Sequence, residues 1–363
     1  MLNWTTFLES QGARDIDPET GAIGRFDAPA PDTDFMTPLN GHGLIKASGD
    51  DAASFLHNQL TNDVEKLDTA HVRLAGYCTP KGRLLATLLL WKTPQSVFLQ
   101  LPRSLQPAIQ KRLQMFILRA KATLSDASGE VAQLGLVGAA ACAILPRWFP
   151  ILPDAPYTRV DGPSGTLLRL ADAPAQTAVP TLSGLPRYLW IAPAATLEAA
   201  WPALQAVLSP AGESAWGLTD IHACIPTITP ATQDKFVPQM INLEAVGGVS
   251  FQKGCYPGQE IVARSQYLGK LKRRMLPATI AAGALNIDAV MAGVEVFSQA
   301  DPEQACGMIV NAVSVPGGGV ACLVEIKLAA SETPVHCGAI DGPLLSFHRL
   351  PYPLGDADRP ELR

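Results

Sequence analysis

One local pattern occurs twice in this chain and narrows the fold more than any other feature. Val97, Phe98 and Leu99 form a short β-type run that leads into Pro102, and Leu105, Ile109, Leu113, Phe116 and Ile117 then recur at helical spacing. The same order returns at Tyr188, Leu189, Trp190 and Ile191, followed by Pro193 and by Leu197, Trp201, Leu204 and Leu208 on one helical face. A proline in the first turn of a helix costs little, because the N–H it lacks has no partner there. A strand that passes through a proline into an amphipathic helix is an α/β unit. Two such units predict two related α/β halves.

The flanking sequence fits. Gly49, Asp50 and Asp51 precede Ala53, Phe55, Leu56 and Leu60, as acidic residues do at a helix start. Val72–Cys78 and residues 84–91 are β-type runs joined by Thr79-Pro80-Lys81-Gly82, a turn of hairpin type. Residues 146–165 are irregular and rich in Pro, Gly and Asp. Beyond about Met275 short β-type runs (294–297, 308–315, 320–326 and 344–347) alternate with turns such as Pro316-Gly317-Gly318-Gly319, which predicts a small antiparallel barrel. The expected boundaries are 1–130, 131–274 and 275–363. With 30 Gly and 31 Pro, the chain is turn-rich but not low in complexity.

Several classes fall away. A net charge of −5 disfavours a protein that coats nucleic acid, while leaving a local basic surface open. The longest apolar run, 134–145, contains Gly135 and Gly138 and is well short of the ~20 residues of a spanning helix. The first nine residues lack the basic and apolar regions of a secretory leader. Seven cysteines, with no CxxC pair and no zinc-type spacing to the six histidines, suggest reduced thiols in a cytoplasmic protein. No GxGxxG, GxxxxGK[ST] or GxSxG motif occurs. His222, two residues from Cys224, reads as a satisfied helix-end histidine, and Trp190, Trp201 and Trp216 read as core.

Chemistry concentrates in 236–274. At its centre stand Lys253, Gly254, Cys255, Tyr256, Pro257, Gly258, Gln259, Glu260, Ile261, Val262, Ala263 and Arg264. Two glycines bracket a tight loop, and residues 259–267 have helical spacing. A cysteine just before a helix N-terminus, near Lys253 and Arg264 in sequence, meets the conditions that favour thiolate. Packing is the bland reading of a lone cysteine; in this loop chemistry is favoured. Lys270, Lys272, Arg273 and Arg274 form a basic run suited to a solvated face, to an acidic ligand or to phosphates.

These residues also carry a family resemblance. Lys-Gly-Cys-Tyr-x-Gly-Gln-Glu, as Lys253 to Glu260, resembles the signature of the YgfZ/GcvT-type folate-binding proteins. Phe236-Val237-Pro238-Gln239, Asn242-Leu243, Gly247 to Phe251, and Arg264 are similar to the same family. So are Asp220-Ile221, Ile225-Pro226, Phe55-Leu56, Leu60-Thr61-Asn62-Asp63, Tyr77-Cys78 and Pro80-Lys81-Gly82-Arg83. The resemblance spans about Leu44 to Arg274, and the C-terminal barrel weakly; Pro257 stands where Thr is common.

The resemblance implies an α+β aminomethyltransferase-like fold: two α/β modules around a central channel, plus a C-terminal antiparallel β-barrel. It implies a tetrahydrofolate-binding accessory factor for iron–sulfur enzymes, including those that thiolate tRNA. Cys255 would be the reactive group. Folate contacts are expected from Lys253, Gly254, Tyr256, Gly258, Gln259, Glu260, Arg264, Asn62 and Asp63, with the basic run drawing the acidic tail. No metal, no direct membrane contact and no nucleic-acid partner are expected. The competing activity is folate-dependent aminomethyl transfer. Against it, Ala86-Thr87 stand where the glycine-cleavage T-protein has an Asp pair. Asp220 and Leu185 similarly stand near the positions of its Arg and its pterin-contacting Glu.

Overall fold

The computed structural model describes residues 4–28, 33–174, 184–267, 271–284 and 287–354. Met1, Leu2 and Asn3, on which the leader argument partly rests, lie outside the described residues, as does Lys270. The chain divides into two compact units, one made of residues 1–55, 65–73 and 89–219, the other of 56–64, 74–88 and 220–363.

The first unit contains both strand–proline–helix patterns. In one, the strand Ser96–Pro102 ends at its proline, and the helix Gln106–Gln114 follows with Pro107 in its first turn. The proline that suits the helix is therefore Pro107, while Pro102 closes the strand. Ser96–Pro102 pairs antiparallel with His42–Ser48, which pairs in turn with Thr123–Asp126. In the other, Leu185–Ala192 runs through Pro193 into the helix Ala194–Gln205. Its sheet has the order Arg159–Gly162, Gly165–Ala173, Leu185–Ala192, Ala132–Val137, Phe35–Pro38, Ser209–Pro210. Only the last pair is parallel.

Burial explains the helix phase. Leu197, Ala200, Trp201 and Leu204 reach the sheet residues Leu134, Leu136, Leu167 and Trp190 in one core. The N-terminal helix Trp4–Ser10 adds Trp4 and Phe7, whose rings meet Trp201 edge-on at 6.1 and 5.7 Å. Trp190 and Trp201 are core residues, as expected from the sequence. Trp216 is also buried: the missing side chain of Gly135 makes its space, since a Cβ there would lie 2.5 Å from the indole.

In the second unit the expected C-terminal β structure is a six-stranded, wholly antiparallel sheet. Its order is Val335–Cys337, Glu295–Ser298, Asp301–Ser314, Val320–Lys327, Arg273–Ile280, Ser346–Phe347. Register shifts near Val296, Phe297 and Ile309 mark bulges, which strengthen twist and curl a sheet. Leu276, Val296, Ile309, Val324 and Ile326 fill its core, with Cys306, Cys322 and Cys337 among them.

Candidate functional site: the Cys255 loop

Sequence segments far apart converge on this loop, and all belong to the second unit. The turn Thr79-Pro80-Lys81-Gly82 closes through Gly82 N–H to Thr79 O (2.9 Å) and Thr79 N–H to Arg83 O (2.8 Å). Gly258 packs directly on this turn. At φ +82° it occupies the left-handed region, and a Cβ there would lie 2.5 Å from Gly82 Cα, Gly82 N and Thr79 O. Gly82, also left-handed, leaves no better room, since its own Cβ would lie 3.0 Å from that of Ile261. Two glycines 176 positions apart thus permit one backbone-to-backbone contact.

The segment 60–63 provides the second anchor. Thr61 Oγ1 donates to Gly248 O (2.6 Å) and accepts from Gly76 N–H (2.7 Å). Asn62 Nδ2 donates to Leu74 O (2.6 Å) and Gly247 O (2.7 Å), while its Oδ1 accepts from Asp63 N–H (2.8 Å). The family-like stretches at 60–63 and 247–251 are therefore joined, through Leu74 and Gly76, in one hydrogen-bonded assembly. Asn62, expected at a ligand, is buried and spends its amide on backbone carbonyls.

Lys253 departs from expectation in the same way. It is buried, and its ammonium donates to His57 O (2.5 Å), Leu60 O (3.1 Å) and Gly254 O (3.2 Å). The charge also stands 4.7 Å from the centroid of the buried Tyr256 ring, a cation–π contact. Burial pushes the Tyr256 phenol well above its ordinary range. Lys253 therefore ties the loop to the end of the helix Ala52–His57, and does not offer its charge to a ligand's carboxylates.

The helix Gln259–Tyr267 begins four positions after Cys255, with Gln259 N–H bonded to Tyr256 O (3.1 Å). It is held by Gln239, whose Nε2 donates to Val262 O (2.7 Å). Cys255, Gly254, Glu260 and Arg264 are exposed, and Gly258 and Gln259 are half-buried.

The basic run does not act as a unit. Strand alternation sends its members to different partners. Arg273 forms a bidentate pair with the buried Glu325, one bond being Nη2 to Oε2 at 2.8 Å, and this raises its pKa further. Arg274 is buried and donates to Glu244 and to Gln239 O (2.9 Å). Lys272 is exposed. The expectation that this run faces an acidic ligand fails for Arg273 and Arg274, because each is needed to neutralise a carboxylate of the protein.

Sequence reasoning missed one close side-chain pair beside the loop. His57 Nδ1 lies 3.2 Å from Asp63 Oδ1, both side chains being buried, and a Cβ on Gly254 would lie 3.5 Å from His57 Nε2. The signal was the six-residue spacing of Asp63 from His57, the last residue of a short helix. Cys142 is exposed, and Tyr188 Oη donates to its sulfur at 3.7 Å.

The seven thiols divide sharply by environment. Cys78, Cys224, Cys306, Cys322 and Cys337 are buried, and Cys142 and Cys255 are exposed. Burial raises Cys78 and Cys224 to about 12 and Cys337 to about 11, and shifts Cys306 and Cys322 upward too. Iodoacetamide at pH ~8 is therefore expected to modify Cys142 and Cys255 in the folded protein. Peptide mapping should find the other five unmodified until denaturant is added. Equal labelling of Cys78 and Cys255 would contradict this division.

The chain is 32% identical over 249 residues to the tRNA-modifying protein YgfZ of Colwellia psychrerythraea strain 34H, covering 68% of this chain and 72% of that protein. It is 31% identical over 324 residues to the tRNA-modifying protein YgfZ of Photorhabdus laumondii, covering 88% and 93%. The chain belongs to the YgfZ family. No family model matches it. Among solved structures, the glycine cleavage system aminomethyltransferase T of Bartonella henselae superposes with a TM-score of 0.71 at 16% identity, covering 96% of each chain. The YgfZ-family chain thus has the aminomethyltransferase-like fold its sequence implied. No helix among the described residues is long and apolar enough to cross a membrane.

Proposed function

We propose that this chain is a cytoplasmic, tetrahydrofolate-binding accessory factor for iron–sulfur enzymes that modify tRNA, with Cys255 as its reactive group. The observation that carries the reading is the loop itself. An exposed thiol is held on a segment fixed by a buried ammonium on one side and a glycine–glycine contact on the other. So much restraint on an exposed residue suits a group that must meet a partner in one geometry. The relatives' naming as tRNA-modifying proteins supports the direction of the proposal.

The residues present fit folate only in part. Arg264 supplies an exposed cation for the glutamyl carboxylates, and Gln259 and Glu260 supply polar groups beside it. Lys253, Asn62 and Asp63 act by shaping the loop. Aminomethyl transfer is the weaker reading. Ala86 and Thr87 are buried, and Thr87 Oγ1 accepts from Ile228 N–H (3.0 Å), so no carboxylate stands there to hold a cationic amine.

The test is complementation. In cells lacking the native factor, Cys255→Ser should leave thiolated tRNA nucleosides at the level of the empty strain, while Cys142→Ser restores them. A fully active Cys255→Ser would remove the chemical role. Titration of the purified chain with tetrahydrofolate should saturate, and Arg264→Ala should weaken it. No saturation at millimolar folate would remove the folate half.

A further inference from the structure

From Thr69 to Ser125 the chain has nine Lys and Arg and not one Asp or Glu, within a protein whose net charge is −5. The end of this stretch forms an unusual surface on the first unit. After the helix Gln106–Gln114, Met115 and Phe116 continue in turn conformation, and the N–H groups of Met115, Phe116 and Ile117 bond to Lys111 O (3.2 Å), Leu113 O (3.0 Å) and Gln114 O (3.1 Å). Met115 is 69% exposed, Phe116 47% and Leu118 88%. Lys111 and Arg119 are exposed and Arg112 half-buried. No carboxylate pairs with any of these three among the described residues. Lys121, by contrast, lies 3.7 Å from Asp50.

The tip is held firmly at its base. Gln114 Nε2 donates to Leu124 O (3.0 Å), Lys121 N–H donates to Asp51 Oδ2 (2.7 Å), and Asp51 N–H returns to Lys121 O (3.2 Å). Large apolar side chains left in water on an anchored loop mark a contact surface. Unpaired cations in the same short segment as an exposed aromatic ring point to an anionic partner that also offers flat apolar faces.

We propose that residues 111–119 bind single-stranded RNA, with unpaired bases packing on Phe116 and Met115 and phosphates on Lys111, Arg112 and Arg119. A second copy of the chain fits poorly, because two such surfaces would bring like charges together. A lipid surface also fits less well: three apolar side chains make a small insertion, and Arg119 sits beside Leu118 at the tip. The proposal deepens the reading of a role in tRNA modification and rests on it, but binding is measured apart from that role.

The probe is a fluorescein-labelled RNA stem-loop, compared with its fully paired counterpart by anisotropy across a salt series. The stem-loop should bind more tightly, since only unpaired bases can stack. Lys111→Gln/Arg112→Gln/Arg119→Gln should lower the slope of log affinity against log salt by about 2, from roughly 0.7 per single-strand phosphate contact. Phe116→Ala should weaken binding about ten-fold while leaving that slope unchanged. Cys255→Ser should bind RNA as the unaltered chain does, so failure of the reactive-thiol reading is seen separately. An unchanged slope in the triple variant would overturn the proposal. Binding to vesicles rich in phosphatidylserine without binding to RNA would also overturn it, and would reassign the surface to lipid.

Discussion

Gly258→Ala is expected to destabilise the second unit by about 3 kcal/mol and to detach the Cys255 loop from the turn at Gly82. Two costs combine. An alanine at φ +82° gives up roughly 1 kcal/mol relative to glycine. The rest comes from overpacking, typically ~1–3 kcal/mol, since the new Cβ would meet backbone atoms at 2.5 Å and backbone cannot rotate aside as a side chain can. Gly317→Ala isolates the first cost: Gly317 has φ +84° and a Cβ there would meet nothing within 4 Å, so about 1 kcal/mol is expected. Urea unfolding of both variants measures the difference. Equal losses would mean that the contact with Gly82 and Thr79 contributes nothing.

Lys253→Met is expected to cost a similar amount, about 2–4 kcal/mol, although it replaces a charge with an apolar chain of similar length. Three carbonyl groups, on His57, Leu60 and Gly254, lose a charged donor at once. A buried acceptor left without a partner costs roughly 1–3 kcal/mol. The total falls below the sum because the folded state no longer buries an ammonium. The contact over Tyr256 is lost as well. Lys253→Arg should fail to rescue stability, because a planar guanidinium cannot aim three donors at carbonyls converging on one point. Urea midpoints for both variants close to that of the unaltered chain would return Lys253 to the ligand-facing role expected from its position in the motif.

These two residues show how far local sequence carried the site. The spacing of glycines around Cys255 predicted a tight loop and a following helix, and both are present at the expected positions. Gly258 was legible as a turn residue, yet its closest neighbour, Gly82, lies 176 positions earlier and left no trace in local spacing. Lys253 was legible as a cation beside a cysteine. Its direction was not, because a side chain turned toward solvent and one turned into three carbonyls have the same sequence. Arg273 and Arg274 misled for the same reason: their partners, Glu325 and Glu244, lie 52 and 30 residues away.

By itself, the sequence determined the elements whose causes are local. Periodicity of 2 and of 3.6, prolines at strand ends and helix starts, and glycines in turns were enough to place the two strand–proline–helix units and the antiparallel C-terminal strands. Tertiary structure alone decided which charges are available. It placed the strand Phe35–Pro38 against Ala132–Val137, about a hundred positions away, and paired His57 with Asp63. It also left Cys142 and Cys255 in water while burying five other thiols. The physical reason is the range of the forces concerned. Propensity and periodicity act within a few residues, whereas burial and charge pairing depend on whichever part of the chain arrives alongside.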